Sequence, residues 1–452
     1  MASHRDLTTG PVGSHLLALA VPAAMGMIFN TLYNLTDFWF AGKLSEDALA
    51  GVAIAGSVFF LILSGSIGMQ TGTTAIVATE VGKGNMASVS NWVNQATGLG
   101  LMLSVIVLLT GLFCAGPLIK FLGAEPEVFP YAKNYVVIVL WGCATFVLSG
   151  VAAGALMALG DTVSNRNALA VGLLANFILN PILIFGLNLH VSGLAIATVV
   201  IKLASVIYLY SVLKKRLGGW VKPAFNLHYW TELMRQVAPA SLNMLMVVLG
   251  GFITVAFIGS FGSQNVAGYS TGLRLEQLLL LPALGLNTAV MAVVGQNFGA
   301  NRVDRIQETY KKALLTGLVI ALFCIPVMIF LSPVLLGFFS SNEQMIKTGT
   351  TYLRIDALAF FAYVVLFVSV ASLQAIKKPM FPMYLGIARQ LVLPATINYL
   401  LIVVFDLPLI YLFISVVIIV ICSAVVSHWY TWRELTGLTT KIKEPADSTS
   451  PV

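Results

Sequence analysis

Residues 15–42 read HLLALAVPAAMGMIFNTLYNLTDFWFAG. Roughly 20 apolar residues cross a bilayer, so this stretch is long enough to span one, yet it carries a carboxylate, Asp37, well inside its apolar length. An acid at membrane depth costs about 2.5–3.5 kcal/mol on insertion scales and faces a wet cavity or a partner, so its default reading is functional. Asn30, Asn34 and Asp37 are spaced four and three apart, which puts all three on one stripe of a helix, a polar seam. Pro22 lacks a backbone N–H and its ring clashes with the preceding turn, so the helix is expected to bend in its first half.

The rest of the chain has the same character. With 452 residues, 58% hydrophobic and 10% charged, and a mean hydropathy of +0.91, it is a polytopic membrane protein and not a soluble enzyme. Apolar segments near 15–41, 49–79, 92–116, 131–159, 168–187, 193–213, 236–259, 266–296, 313–336, 346–375, 381–404 and 408–430 predict twelve helices, an all-α architecture. The stretches 49–79 and 266–296 exceed what a span requires, so these helices tilt, break at their glycines or project. The net charge of +7 comes from basic residues scattered through short connections, which argues for orientation in the membrane and against a nucleic-acid partner. With the head MASHRDLTTGPVG in the cytoplasm, the inside connections hold most Lys and Arg, including the Lys214–Arg216 cluster, and the outside ones chiefly Lys43 and Lys120. Both termini of a multi-pass inner (plasma) membrane protein are therefore expected in the cytoplasm. The first apolar run exceeds a signal-peptide core, so no cleaved leader is expected. Cys114, Cys143, Cys324 and Cys422 lie in separate segments with no CxxC or metal spacing, and no metal site is expected.

The two halves repeat. Pro22 and Pro239 are 217 residues apart, and the same interval relates Gly42 to Gly259, Gly51 to Gly268, Gly68 to Gly285, Gly82 to Gly299 and Tyr135 to Tyr352. Shared glycines and prolines mark shared backbone requirements, so the halves are expected to share a fold. Six helices per copy is an even number, which makes the repeats parallel about an axis along the membrane normal. The expected organisation is a six-helix lobe over 1–213, a cytoplasmic linker over 214–235, a second lobe over 236–432 and a cytoplasmic tail over 433–452.

These features resemble those of a multidrug and toxic compound extrusion (MATE) transporter. The resemblance covers essentially all twelve helices and is carried by AVPAAMGMIFNTLYNLTDFWFAG in the first, by the paired segments VATEVGKGN (77–85) and VVGQNFGAN (293–301), by GDT at 160–162 and by ANFILNPILIF at 175–185. It implies two six-helix lobes in a V around a central cavity, no enzyme activity, and export of organic cations in exchange for protons or sodium. Asp37 resembles the coupling residue of the DinF-like, proton-coupled branch, in which a bend at the first-helix proline, here Pro22, is the proposed switch. On the fifth helix Asn176 and Asn180 share a face, and the family places that face opposite the first-helix acid. The family also implies that Tyr135 and Thr198 complete a hydrogen-bond cluster around Asp37, against the plainer readings of an interfacial aromatic and a threonine bonded to its own backbone. Some proton-coupled relatives carry a second acid where this chain has Asn180, so a two-acid relay is not expected here.

The second half has intramembrane charges of its own, Arg274, Glu276, Asp356 and Arg389. Arg274 and Glu276 are two apart and cannot pair with each other, so a structural ion network among the four stands beside a role in coupling or binding. Lys202 on the sixth helix reads as a snorkelling structural lysine. The expected function is efflux of small amphipathic cations by a monomer, with protons as the coupling ion and no cofactor. A sodium-coupled exporter and a flippase of lipid-linked oligosaccharide are the alternatives. An enzyme has no support, since HExxH, GxSxG and a His cluster are all absent from the sequence.

Overall fold

The computed structural model describes residues 5–443, with side chains to Leu438, and every regular element among them is helical. Within a bilayer an unpaired N–H or C=O has no water to bond, so a chain this apolar satisfies its backbone inside each segment. The spans are α1 (Val12–Leu44), α2 (Glu46–Gly82), α3 (Met86–Phe121), α4 (Phe129–Trp141 and Cys143–Ala158, bent by 51°), α5 (Val163–Gly186), α6 (His190–Leu217), α7 (Leu227–Gly259), α8 (Ser263–Gly299), α9 (Val303–Gly337), α10 (Glu343–Ala375), α11 (Met380–Val404) and α12 (Leu409–Leu438). All twelve coincide with the apolar segments. Side-chain caps extend several beyond the apolar run, as where Ser45 accepts from the Ala48 N–H at 3.0 Å and Asn85 from the Ser88 N–H at 3.0 Å.

Helices α2 and α8 each run unbroken for 37 residues. That is about 55 Å against a hydrocarbon core of about 30 Å, so they tilt or project and do not break at their glycines. Pro181 and Pro326 are each followed by a wide π turn, residues 182–186 and 327–331, the local adjustment that absorbs a missing N–H. Pro22 stands inside continuous α-helix.

The repeat is visible in backbone strain. Left-handed residues recur as Gly84 and Asn301, Gly160 and Lys377, and Asn188 and Asp406. The first two pairs are 217 apart and the third 218, so a one-residue slip lies between positions 160 and 188. An ion pair recurs with its signs exchanged: Arg216 donates to Asp161 at 2.9 Å in the first half, and Lys378 bonds Glu434 in the second. Positions 161 and 378 are 217 apart, 216 and 434 are 218 apart.

The chain does not divide at the expected lobe boundaries. Among the described residues, one compact unit holds Met25–Leu245 with residues 5–6, and the other holds Leu7–Ala24 with residues 246–443. The first half of α1 thus packs with the second repeat and the first half of α7 with the first, for the same reason in each case. A side-chain β-carbon at Gly285 would lie 2.6 Å from the Ala20 carbonyl oxygen, and one at Gly68 would lie 2.8 Å from that of Val237. Only glycine lets the helix axes approach so closely. Both glycines and both partners are repeat mates, 217 apart.

The linker is also shorter than expected and is not a free hinge. Gly218, left-handed, ends α6, and α7 begins at Leu227. The intervening segment is fixed to α3, where Asn94 Oδ1 accepts from the Lys222 N–H at 2.8 Å, the Asn94 carbonyl from Ala224 at 3.1 Å and Gln95 Oε1 from Asn226 at 3.1 Å. The head is tied down comparably: Gln296 accepts from the Leu7 N–H at 3.0 Å and Arg305 donates to the Gly10 carbonyl at 2.9 Å. At the other end the last helix continues to Lys443, so the expected tail starts as helix. Residues 1–4 of the head and 444–452 of the tail lie outside the described residues.

Candidate functional site

Asp37 sits buried in α1, and α5 and α6 supply its partners. Asn176 and Asn180 are one turn apart on α5 with no exposed surface. Their Nδ2 groups donate to Asp37 Oδ1 at 2.7 and 3.0 Å, and Asn180 also donates to Asn176 Oδ1 at 3.1 Å. Thr198 of α6 reaches Asp37 Oδ2 at 3.3 Å and receives the Tyr33 hydroxyl proton at 3.2 Å. Tyr135 of α4 is buried beside Thr198. Hydrogen bonds to a charged group contribute about 1.5–3 kcal/mol each. Three neutral donors therefore offset part of the cost of holding an ionised carboxylate at this depth without a cation beside it.

The two carboxylate oxygens are not equivalent. Oδ1 is held by two amide donors, whereas Oδ2 has only Thr198, whose Oγ1, with a single proton to give, also lies 3.1 Å from the Leu194 carbonyl oxygen. A proton arriving at Oδ2 needs one hydroxyl to turn: Thr198 gives its hydrogen to Leu194 and accepts the new one from Asp37. The side-chain oxygen of Asn180 is buried without a donor, a second place where the network can rearrange.

The first-helix seam differs from the expected stripe. Asn34 is exposed, Asn30 is half-buried, and neither hydrogen-bonds Asp37. Each residue advances about 100° around a helix, so Asn34 stands about 60° from Asp37. Because Asp37 lies near one edge of the buried face, that step carries Asn34 to the surface, while Tyr33, one turn from Asp37 on the other side, enters the cluster. Tyr33 stands outside the stripe of Asn30, Asn34 and Asp37 that the spacing marks. Its i−4 spacing from the acid was the available signal.

In the second repeat the structure brings together three of the four expected charges. Glu276 of α8 accepts from the Tyr352 hydroxyl, Asp356 of α10 accepts from Tyr363 at 3.3 Å, and Arg389 of α11 faces Glu276 and Tyr363. Arg274 is exposed and lies outside this group. The remaining Asp356 oxygen is buried and unbonded. The repeat mates of Glu276, Asp356 and Tyr363 are Phe59, Val139 and Phe146, and the mate of Asp37 is Thr254. Each repeat thus places its acids where the other is neutral. Beside Tyr135 the first unit has a narrow apolar crevice, too tight to hold a water, lined by residues including Phe59 and Val139.

Lys202 does not snorkel. It lies 12 residues before Lys214 on α6, about 18 Å deeper in a core about 30 Å thick. Its ammonium lies 5.9 Å from the Phe146 ring centroid, at the limit of a cation–π contact contributing about 0.5–1 kcal/mol, against an insertion cost of about 2.5–3.5 kcal/mol.

Twelve spans around buried, hydrogen-bonded acids define a polytopic membrane transporter. The chain belongs to the MatE family, whose model matches it twice, over residues 22–182 and 239–400; members are transporters and not enzymes. It is similar to a FAD transporter of Shewanella oneidensis, 26% identical over 87% of this chain and 89% of that protein. The multidrug export protein MepA of Staphylococcus aureus is 22% identical over 81% and 82%. Among solved structures, a MOP superfamily transporter from Pyrococcus furiosus, described as having a binding pocket of reverse polarity, shares the fold with a TM-score of 0.90 at 24% identity, over 96% of this chain and 98% of that one.

Proposed function

We propose that this MATE multidrug efflux transporter exports small amphipathic organic cations in exchange for protons, as a monomer in the inner (plasma) membrane with both termini cytoplasmic. The observation that carries the reading is Asp37: a buried carboxylate with three neutral donors, no cation, and one oxygen whose only hydrogen bond is shared. From the outward-facing state a proton enters Oδ2, the Thr198 hydroxyl turns, the carboxylate's hold on Asn176 and Asn180 weakens, α1 repacks about Pro22, and the cation leaves. On the inward side the proton departs and the restored carboxylate attracts the next cation. The proton drives this only because the two access states bind it unequally. Each pH unit is worth about 1.4 kcal/mol.

Sodium fits the same group less well, because it requires several oxygen ligands and both asparagines turn N–H groups toward Asp37. Glu276, Asp356 and Arg389 are assigned to a structural ion network in the second unit. Dye efflux from proteoliposomes under imposed pH or sodium gradients tests the reading. Export driven by sodium and not by a pH gradient overturns it.

A further inference from the structure

The connection from α6 to α7, residues 218–226, is built as a platform and not as a tether. Three of its backbone N–H groups are held by Asn94 and Gln95 of α3, and Gly98 of α3 leaves room for the Ala224 carbonyl, which any β-carbon there would strike. Val221 turns inward onto a core that includes Leu209 and Leu213. Trp220, Phe225 and the adjoining Leu227 turn outward, 66%, 69% and 79% exposed, with Lys222 exposed between the two rings. Joining two helices requires no fixed, exposed aromatic side chains. Helix α6 has 28 residues, so Lys214, three from its end, lies about 16 Å from its middle, at the edge of a hydrocarbon core about 30 Å thick.

Charge at this edge is one-sided. The sequence has no Asp or Glu between Asp161 and Glu232, and of the acids on neighbouring elements Asp161 is paired with Arg216 at 2.9 Å and Glu80 with Lys83 at 2.7 Å. Lys214, Lys215 and Lys222 make no ion pair among the described residues, and the Lys214 ammonium lies 3.7 Å from the Trp220 ring centroid, which keeps ring and charge together. Aromatic rings beside uncompensated lysines at this depth match the headgroup layer of a bilayer carrying anionic lipid. We infer that the α6–α7 connection is seated in that layer and binds the phosphate of an anionic phospholipid through Lys214, Lys215 and Lys222, with Trp220 and Phe225 among the first acyl carbons. Orientation in the membrane accounts for the lysines alone; the lipid accounts for the lysines, the rings and the fixed backbone together. Asp37 takes no part, so the site stands apart from the coupling reading.

The test is quenching of Trp220 fluorescence in vesicles that contain the full-length protein and either brominated phosphatidylglycerol or brominated phosphatidylcholine. The chain has seven tryptophans, so the signal of Trp220 is taken as the difference between the wild type and Trp220→Phe. Half-maximal quenching is expected at a mole fraction of phosphatidylglycerol at least about tenfold below that of phosphatidylcholine. Lys222→Gln should reduce this preference about fivefold, the effect of one lysine at an anionic surface. The triple variant Lys214→Gln, Lys215→Gln and Lys222→Gln should abolish it, and the triple Arg variant should retain it. Melting temperatures of the variants in lipid-free detergent should match the wild type, because these lysines hold no other element of the fold. Equal quenching by the two lipids overturns the inference, as does a preference that survives in the triple Gln variant. Quenching by neither lipid would place the rings in water or against another protein and also overturns it. So does loss of the preference in millimolar inorganic phosphate at constant ionic strength, which would assign the lysines to a simple anion.

Discussion

Replacing Asn180 by Ala removes the donor at 3.0 Å from Asp37 Oδ1 and the one at 3.1 Å from Asn176 Oδ1 while leaving the α5 backbone intact. Hydrogen bonds between helices in membranes measure about 0.6–1.7 kcal/mol, and those to charged groups in general about 1.5–3 kcal/mol. The two contacts together put the loss at about 1–3 kcal/mol in the state with an ionised carboxylate, and 1.4 kcal/mol is a factor of ten. Pump-driven dye efflux in proteoliposomes at fixed pH gradient and subsaturating dye should therefore fall about tenfold, normalised to monodisperse protein. The control is Ile178→Ala, which removes side-chain volume from the same helix at a residue 62% exposed and should change efflux less than about twofold. Leu183, the neighbour that its sequence position suggests as a control, is half-buried and unsuitable. Equal losses at Asn180 and Ile178 would mean that α5 matters through packing, and the functional reading of its asparagine face would be wrong.

Asp37→Asn should fold, because the amide keeps its oxygen on the Asn176 and Asn180 donors and offers its N–H to Thr198. It should nevertheless abolish gradient-driven export and drug resistance in a sensitive host; near-normal pumping would move the coupling site elsewhere, with Glu276 the first candidate. If Asp37 alone exchanges a proton, export of a monocation moves no net charge, and a potassium–valinomycin potential should leave its accumulation unchanged. One uncompensated charge is worth about 2.3 kcal/mol per 100 mV, so a rise with potential would require a second site. Reversing either partner of the Lys378–Glu434 pair should lower thermal stability in detergent by about 1 kcal/mol. The double variant Lys378→Asp with Glu434→Arg reproduces the arrangement of Asp161 and Arg216 and should recover the loss; a double variant no more stable than the single ones refutes the pairing.

The sequence alone determined the twelve spans, the repeat and the position of the acid. Each is a local or periodic property: a run of about 20 apolar residues leaves the bilayer as the only solvent that fits it, recurrent glycines and prolines record recurrent backbone needs, and a carboxylate inside such a run is costly wherever the helix points. The pairing of Asn176 and Asn180 was legible for the same reason, since residues four apart share a face. Only the tertiary structure decided which side of a face is buried. Asn34 left the seam and Tyr33 joined the cluster because a rotation of about 60°, set by packing against α5 and α6, is invisible to spacing, while Asn30, about 20° from Asp37 around the helix, lies two turns away along it. Arg274 left the second-unit charges for the same reason. The exchange of half-helices at Gly68 and Gly285 was likewise beyond the sequence, which marked both glycines as repeat mates but not the backbones they meet. Lys202 completes the contrast: its depth could be counted along the helix, but the lack of a carboxylate facing it is a fact about other helices, which only their packing fixes.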